Sequence, residues 1–222
     1  MSKLSVVIPT YNHWDLTHQL LFDLYQHCRN SLDEVLVVND ASTDDTVYQG
    51  LKWWKEQKML PLKELRMIEN KGFLRVSNQG INKASGDILV LLSNDVRVMD
   101  DFCGQIKELI EKDKKVLIGN RLIAFDSGWN TFNGKTYPYL EGWILACTKD
   151  AWKELGGFDD QYAPNDFEDV DLSTRAASLG YSLVSLDNSR VTHIGAQSIG
   201  YNPEREAITK RNREKFKEKW VK

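Results

Sequence analysis

The sequence sets carboxylates directly after buried-strand signals, a costly place for charge unless another group meets it. Ser93-Asn94-Asp95 follows the apolar run Asp87 to Leu92. A carboxylate leaving such a strand carries a desolvation cost. A bound Mg²⁺ or Mn²⁺, itself holding a diphosphate, meets that demand with oxygen ligands; a simple Asn-Asp turn is the alternative. Asn39-Asp40-Ala41-Ser42-Thr43-Asp44 follows a second apolar run. There Asp40 can accept hydrogen bonds from a ribose or from a uracil imino N–H, whereas Thr43 or Asp44 suits a helix cap. Pro9-Thr10-Tyr11-Asn12 follows a third. Tyr11 offers a ring face for stacking on a base, and Thr10 and Asn12 offer hydrogen-bonding groups. A strand end with Asn12 as helix N-cap is the other reading. Glu168-Asp169, with Asp171, opens a helical stretch where acidic residues also serve the helix N-terminus. No G-x-G-x-x-G or P-loop glycine pattern follows the first strand, which argues against a dinucleotide enzyme and a P-loop kinase.

The elements that must position these groups alternate. Leu4 to Ile8 predicts a buried parallel strand stopped by Pro9. Leu20, Leu21, Leu24, Tyr25 and Cys28 lie at helical spacing. Further strands are predicted at Glu34 to Val38, near Leu65 to Ile68 and at Asp87 to Leu92. Helices are predicted at Asp44 to Gln57, at Leu74 to Ala84 (closed by Gly86) and at Asp100 to Lys112. This order implies an α/β fold with a mostly parallel sheet and right-handed crossovers, whose strand ends bind ligands. The second half is less regular. Short strands are predicted within 116–147, helices at Lys149 to Leu155 and Asp169 to Leu179, strands at Tyr181 to Leu186 and Arg190 to His193, and a terminal helix from Glu204 to Trp220. No repeat or linker divides the chain.

Composition removes several classes. A net charge of −3 over 222 residues gives no global reason for nucleic-acid binding. No apolar run approaches the ~20 residues of a membrane span. Met1-Ser2-Lys3 runs straight into a strand without a signal-peptide pattern, so a soluble, cytoplasmic chain is expected. Cys28, Cys103 and Cys147 are far apart and fit reduced core thiols better than a disulfide framework or a zinc site. From Glu204 to Lys222, eight Lys or Arg stand against four Glu, a net +4. With Ile208, Phe216 and Trp220 as an apolar stripe, this helix either packs back on the domain with its lysines solvated or touches a membrane surface near a lipid-linked acceptor.

The motifs V-V-I-P-T-Y-N (6–12), V-V-N-D-A-S-T-D-D-T (37–46), N-K-G-F (70–73), S-N-D-V (93–96), G-G-F-D (156–159), F-E-D-V-D-L-S-T-R (167–175) and H-I-G-A-Q-S (193–198) occur in this order. Together they resemble the signatures of family-two glycosyltransferases with the GT-A fold, over roughly residues 4–198. The resemblance implies a single GT-A domain at 1–202, with a nucleotide-binding half at 1–98 on a Rossmann-like, mostly parallel sheet and a smaller mixed or antiparallel acceptor and catalytic half at 99–202, followed by a basic amphipathic helix at 203–222. It implies a nucleoside-diphosphate-sugar donor, UDP by preference, and a glycan, lipid-linked or other hydroxyl acceptor. Pro9, Thr10, Tyr11, Asn12 and Asp40 would hold the nucleoside, and Lys71 and Asn78 would lie near the donor phosphates or base, with Ser93 and Asn94 beside them. Asp95 matches the last acidic position of the family's D-x-D motif. Ser93 replaces the first, which leaves that contact open. His193 matches a further metal ligand, so Mn²⁺ or Mg²⁺ is the implied cofactor, manganese being somewhat favoured. Asp169 falls where the family places its general base, with Glu168 shaping the acceptor or sugar pocket and Gly142 and Trp143 lining it. The implied reaction is a single in-line displacement with inversion. The Q-x-x-R-W motif of processive synthases is absent, so transfer of one sugar at a time is expected. Two rivals are a catalytically inactive carbohydrate-binding scaffold and a nucleotidyltransferase on a related fold. The latter wants a glycine-rich basic loop that P-T-Y-N lacks.

Overall fold

A computed structural model of the chain describes residues 2–186, 190–195 and 202–221. The last three residues of the H-I-G-A-Q-S motif lie outside them. Largely apolar strands and amphipathic helices alternate through the first half: β1 (Leu4–Thr10), α1 (Trp14–His27), β2 (Glu34–Asn39), α2 (Asp45–Gln57), β3 (Leu62–Arg66), α3 (Phe73–Lys83), β4 (Ile88–Leu92), β5 (Val96–Val98) and α4 (Phe102–Lys112). β3 is a half-exposed exception. Short strands follow, β6 (Val116–Gly119), β7 (Leu122–Ile123), β8 (Thr131–Phe132), β9 (Lys135–Thr136) and β10 (Tyr139–Leu140). The chain ends with β11 (Ile144–Thr148), α5 (Lys149–Leu155), α6 (Glu168–Ser178), β12 (Ser182–Ser185), β13 (Val191–His193) and α7 (Pro203–Trp220).

Seven strands form one sheet in the order β12-β6-β11-β4-β1-β2-β3. Six run in one direction. β11, from the second half, is antiparallel to both of its neighbours, in keeping with the mixed character expected of that half. The chain steps outward from β1 to β2 to β3 and then returns to place β4 on the other side of β1. This reversal opens a crevice at the carboxyl ends of β1 and β4, where open α/β sheets bind ligands. β1 and β4 are buried on both faces, as central strands must be. Alternate residues of β1 serve two separate cores. Val6 and Ile8 pack with α1, α2 and α4, and Val7 packs with α3, α5 and α6.

Three boundaries differ from the sequence pattern. β1 runs through Pro9 to Thr10, because its ladder with β4 ends at Val7 and leaves one flank where a missing N–H is tolerated. β3 occupies Leu62–Arg66, and Ile68 is 96% exposed beyond it. The short β5 leaves the main sheet and pairs antiparallel with β13, His193 opposite Val96.

No helix among the described residues is long and apolar enough to cross a membrane. α7 packs back on the domain, with Phe216 fully buried among the α6-side residues. All three cysteines are free and buried.

Close approach of α3 to the sheet rests on Gly80. A Cβ there would lie 2.5 Å from both Val38 Cγ2 and Val7 Cγ1. Glycine-to-alanine in an exposed helix gains up to about 1 kcal/mol. Here Gly80→Ala is expected to lose about 1–3 kcal/mol through overpacking, read as a lower midpoint of urea unfolding.

Candidate active site

The carboxyl ends of β1 and β4 are stitched together by a residue the sequence reading missed. Thr17, fully buried on α1, lies 3.3 Å from Thr10 Oγ1 and accepts a hydrogen bond from Asn94 Nδ2 at 3.3 Å. Its polar atom on a helix face otherwise turned to the core was the available signal. Tyr11 is 40% exposed beside them, its ring open to stacking. Asn12 does not cap α1. His13 holds that position in the left-handed region without a side-chain cap. Instead Asn12 Oδ1 accepts from the N–H groups of Thr43 and Asp44 at 2.9 and 3.1 Å, and its own N–H donates to Ser42 Oγ. This ties the loop after β1 to the loop after β2. Asp44, as expected of a helix cap, accepts from Thr46 N.

Asp40 is buried, and its two carboxylate oxygens accept from Lys71 N (2.8 Å) and Gly72 N (2.9 Å). It therefore anchors the N-K-G-F loop to β2, and any contact with a ligand would use its remaining lone pairs. Asn78 is likewise committed, exchanging two hydrogen bonds with the main chain of Phe158 at 2.8 and 2.9 Å. A cleft of about 990 Å³ between α3 and the G-G-F-D turn is lined by Lys71, Arg75, Asn78 and Arg175. Asp95, Asp169 and His193 are not among its walls, so it lies beside the carboxylate cluster rather than over it.

Asp95 is buried at the end of β4. Its Oδ1 receives Ser93 Oγ at 2.7 Å and stands 3.0 Å from His193 Nε2. Burial opposes its ionisation, but hydrogen bonds from His193 and Ser93 outweigh burial and hold the carboxyl below its ordinary range. The β5–β13 pair is what delivers His193, and Ile194 N donates to the Asp95 carbonyl at 2.9 Å. The imidazole stacks on Trp143, centroids 5.1 Å apart and planes 12° from parallel.

Trp143 carries the connection onward. Its carbonyl accepts from Ser93 N at 2.8 Å, while the adjacent Gly142 N donates to Asp169 Oδ2 at 3.0 Å. A Cβ on Gly142 would lie 3.1 Å from Asp169 Cβ, so glycine permits the close approach. Glu141 Oε2 accepts from the Trp143 indole at 3.3 Å. Residues 141–143 thus join the end of β4 and the start of α6 into one site.

Asp169 also accepts from Val170 N at 2.8 Å. It keeps partial solvent access, yet its carboxyl is pushed up to about 6. Burial is the main cause, the charges of Asp166 and Glu141 add to it, and the two N–H donors pull the other way. Glu168 is buried, and its Oε2 has no hydrogen-bond partner among the described residues. Burial first, then the charge of Asp169, raise it well above the ordinary carboxylate range. Asp171 serves structure. It is fully buried and meets Arg175 Nε at 2.8 Å and Trp220 Nε1 at 2.7 Å. Tyr139, absent from the sequence reading, borders Asp169. Burial and that carboxylate push its phenol to about 12.

One cluster of metal-type side chains among the described residues, Cys28, Asp101 and Cys103, lies elsewhere. Burial, then Cys28, raise the Cys103 thiol well above its usual value, and Asp101 caps α4 through Gly104 N. Protonated thiols are poor ligands, so the structural reading of these cysteines fits their surroundings.

The family model for glycosyl transferase family 2 matches residues 5–171. Among curated proteins, a dolichol-phosphate mannosyltransferase of Pyrococcus furiosus is 30% identical over 128 residues, 54% of this chain. The match spans 34% of that protein, so the chain covers about a third of its relative's length. Among solved structures, the mannosyltransferase PcManGT from Pyrobaculum calidifontis, in complex with GDP-Man and Mn²⁺, aligns with a TM-score of 0.71 at 22% identity, covering 90% of this chain and 59% of that one. GalNAc-T7 with UDP, GalNAc and Mn²⁺ aligns at 0.73 with 16% identity, covering 87% and 44%. The architecture is the GT-A fold.

The raised Asp169 makes a stability prediction. Its folded value lies above the unfolded one, so the folded state holds the proton more tightly between about pH 4 and 6, and the native state loses stability as pH rises through that window. Asp169→Asn removes this penalty. The variant is expected to gain about 1–2 kcal/mol above pH 6, allowing for partial solvent access. The gain should vanish below pH 4, as tested by thermal unfolding across pH.

Proposed function

The chain belongs to glycosyl transferase family 2, and on that premise we propose that it transfers a sugar from a nucleoside-diphosphate sugar to an acceptor hydroxyl, with inversion at the anomeric carbon. The observation that carries this reading is the bridge at 141–143, which ties a carboxylate raised to about 6 to the Asp95–His193 pair through Gly142 and Trp143. General-base and leaving-group functions need that proximity, and separate structural carboxylates do not.

Asp169 takes the proton of the attacking hydroxyl. A base near 6 is ionised at neutral pH yet still basic enough to accept a proton. Gly142 N–H and Val170 N–H orient its carboxylate. Neighbouring Glu168, raised above the ordinary carboxylate range by burial and by the charge of Asp169, is proposed to shape the acceptor side. Tyr11, Thr10 and Asp40 lie where a nucleoside would rest at the switch point, and UDP is the preferred nucleotide. Lys71 approaches from the N-K-G-F loop, while Asn78 holds the neighbouring turn in place. Trp143, whose ring stacks on His193, is proposed to border the sugar with its remaining exposed surface.

The donor set of Asp95 and His193 fits Mn²⁺ or Mg²⁺, since an ionised carboxylate and an imidazole suit these ions and a diphosphate would supply further oxygens. When bound, the ion would stabilise charge on the departing nucleoside diphosphate. The acceptor is proposed as a glycan, lipid-linked or other hydroxyl.

A thermal-shift screen of UDP, dTDP, GDP and CDP, each with and without Mn²⁺, tests the donor class, because ligands of the native state raise its stability by mass action. A metal-dependent shift with one nucleotide is expected, and Asp95→Asn is expected to abolish the metal dependence. No shift from any nucleotide in a folded sample would sink the proposal. With the matching sugar donor, Asp169→Asn should keep nucleotide binding and lose about 10²–10⁴-fold in turnover. Wild-type turnover should fall about tenfold per pH unit below an apparent value near 6. That acid loss runs opposite to the acid gain in stability.

A further inference from the structure

Two consecutive non-glycine residues, Asp166 and Phe167, stand at φ 68° and 74° immediately before Glu168 and Asp169. Left-handed backbone outside glycine persists only where its surroundings over-determine it. Phe167 heads α6 without any side-chain cap. The contacts that hold this elbow come chiefly from α7.

Asn212 is fully buried. Its Nδ2 lies within hydrogen-bond distance of three carbonyl oxygens, those of Tyr162 (2.6 Å), Asn165 (2.8 Å) and Asp166 (2.8 Å). Two hydrogens are shared among three acceptors, all on the approach to the elbow. Arg205 grips the Asp166 carboxylate at two points, Nη2 at 2.9 Å and Nε at 3.2 Å, and Thr209 Oγ1 donates to it at 2.6 Å. Burial would raise Asp166, but Arg205 and Thr209 hold it below its ordinary range. Phe216 packs on Phe167 with centroids 5.8 Å apart. Beyond the elbow, Trp220 Nε1 and Lys219 Nζ reach Asp171 Oδ1 at 2.7 and 2.8 Å. Residues 205, 209, 212, 216 and 220 share one helical face by their spacing.

We propose that α7 is a positioning strut for the catalytic carboxylate. It fixes the left-handed elbow at 166–167 and so sets where the first turn of α6 presents Asp169 to Gly142 and the acceptor. Arg205, Thr209 and Asn212 are the positioning residues. The proposal rests on the reading of Asp169 as general base. The nucleotide side of the crevice is held mainly by its own contacts, through Asp40, Asn12 and Thr17, with one link to the approach of the elbow, Leu74 N to the Pro164 carbonyl at 3.2 Å. A strut therefore acts chiefly on turnover with little effect on donor binding, whereas mere packing would affect both in proportion to lost stability.

The test uses the full chain with Arg205→Ala and Arg205→Lys. Hydrogen exchange of peptides spanning 162–172 is compared with that of peptides over β1 and β4. For Arg205→Ala, exchange at the elbow should rise at least tenfold while the two strands stay within twofold. In a UDP-sugar panel with Mn²⁺, its turnover should fall at least tenfold, with donor KM within twofold and a displaced acid limb of the pH profile. Arg205→Lys, which keeps charge without the two-point grip, should recover part of both effects. Unchanged exchange at 162–172, or turnover and KM moving together, would overturn the strut. If the wild type turns over no donor in the panel, the exchange result alone decides the strut, and the transferase reading falls separately.

Discussion

A carboxylate placed in a protein interior must be met by donors, and in this chain the donors at the functional end of the sheet are largely main-chain N–H groups. Asp40 takes those of Lys71 and Gly72, and Asp169 takes those of Gly142 and Val170. Because each carboxylate takes at least one N–H from a distant part of the sequence, satisfying it also fixes the relative positions of loops. Asp40 binds the loop before α3 to β2. Asp169 binds the entry of β11 to the start of α6. The same contacts that make these charges tolerable therefore build the crevice.

Asp95 and Asp169 are met differently, and the difference matches their proposed roles. Side chains from His193 and Ser93 hold Asp95 ionised against burial. For Asp169, burial and neighbouring negative charges prevail over two N–H donors, leaving its carboxyl at about 6. Two acidic groups joined through one short segment thus have their proton affinities driven apart, the condition under which one serves as a fixed charge and the other as a base. The antiparallel β11 makes this possible, since its reversed direction brings residues 141–143 to the carboxyl end of β4 at the moment they enter the sheet.

Backbone in the left-handed region gathers near the same end. Asn12, His13, Ala41, Asp166 and Phe167 all have positive φ. Strain of this kind costs about 1–3 kcal/mol per residue, and it persists where cross-linking contacts are dense. Asn12 bridges to Thr43 and Asp44. The elbow at 166–167 is held from α7, a helix whose inward face is largely polar rather than apolar.

The alternation of strands and helices is legible from the sequence, because buried strands and amphipathic helices leave periodic traces within a few residues. So is the order of polar motifs after those strands, and hence the fold and family. The sequence did not determine which polar groups act on a ligand and which are consumed internally. Asn12 and Asp171 sit in family-like motifs, and Asn78 lies five residues past one, yet their side chains are committed to the 43–44 loop, to Arg175 and to Phe158. Nor did it show that Thr17, Tyr139, Glu141 and the inner face of α7 border or support the site. Those assignments depend on hydrogen bonds between segments far apart in sequence, 80 residues for Asn78 and Phe158 and 77 for Asn94 and Thr17. Partners at that separation are chosen by how the sheet closes and how α1 and α3 pack on it, and no local pattern encodes either.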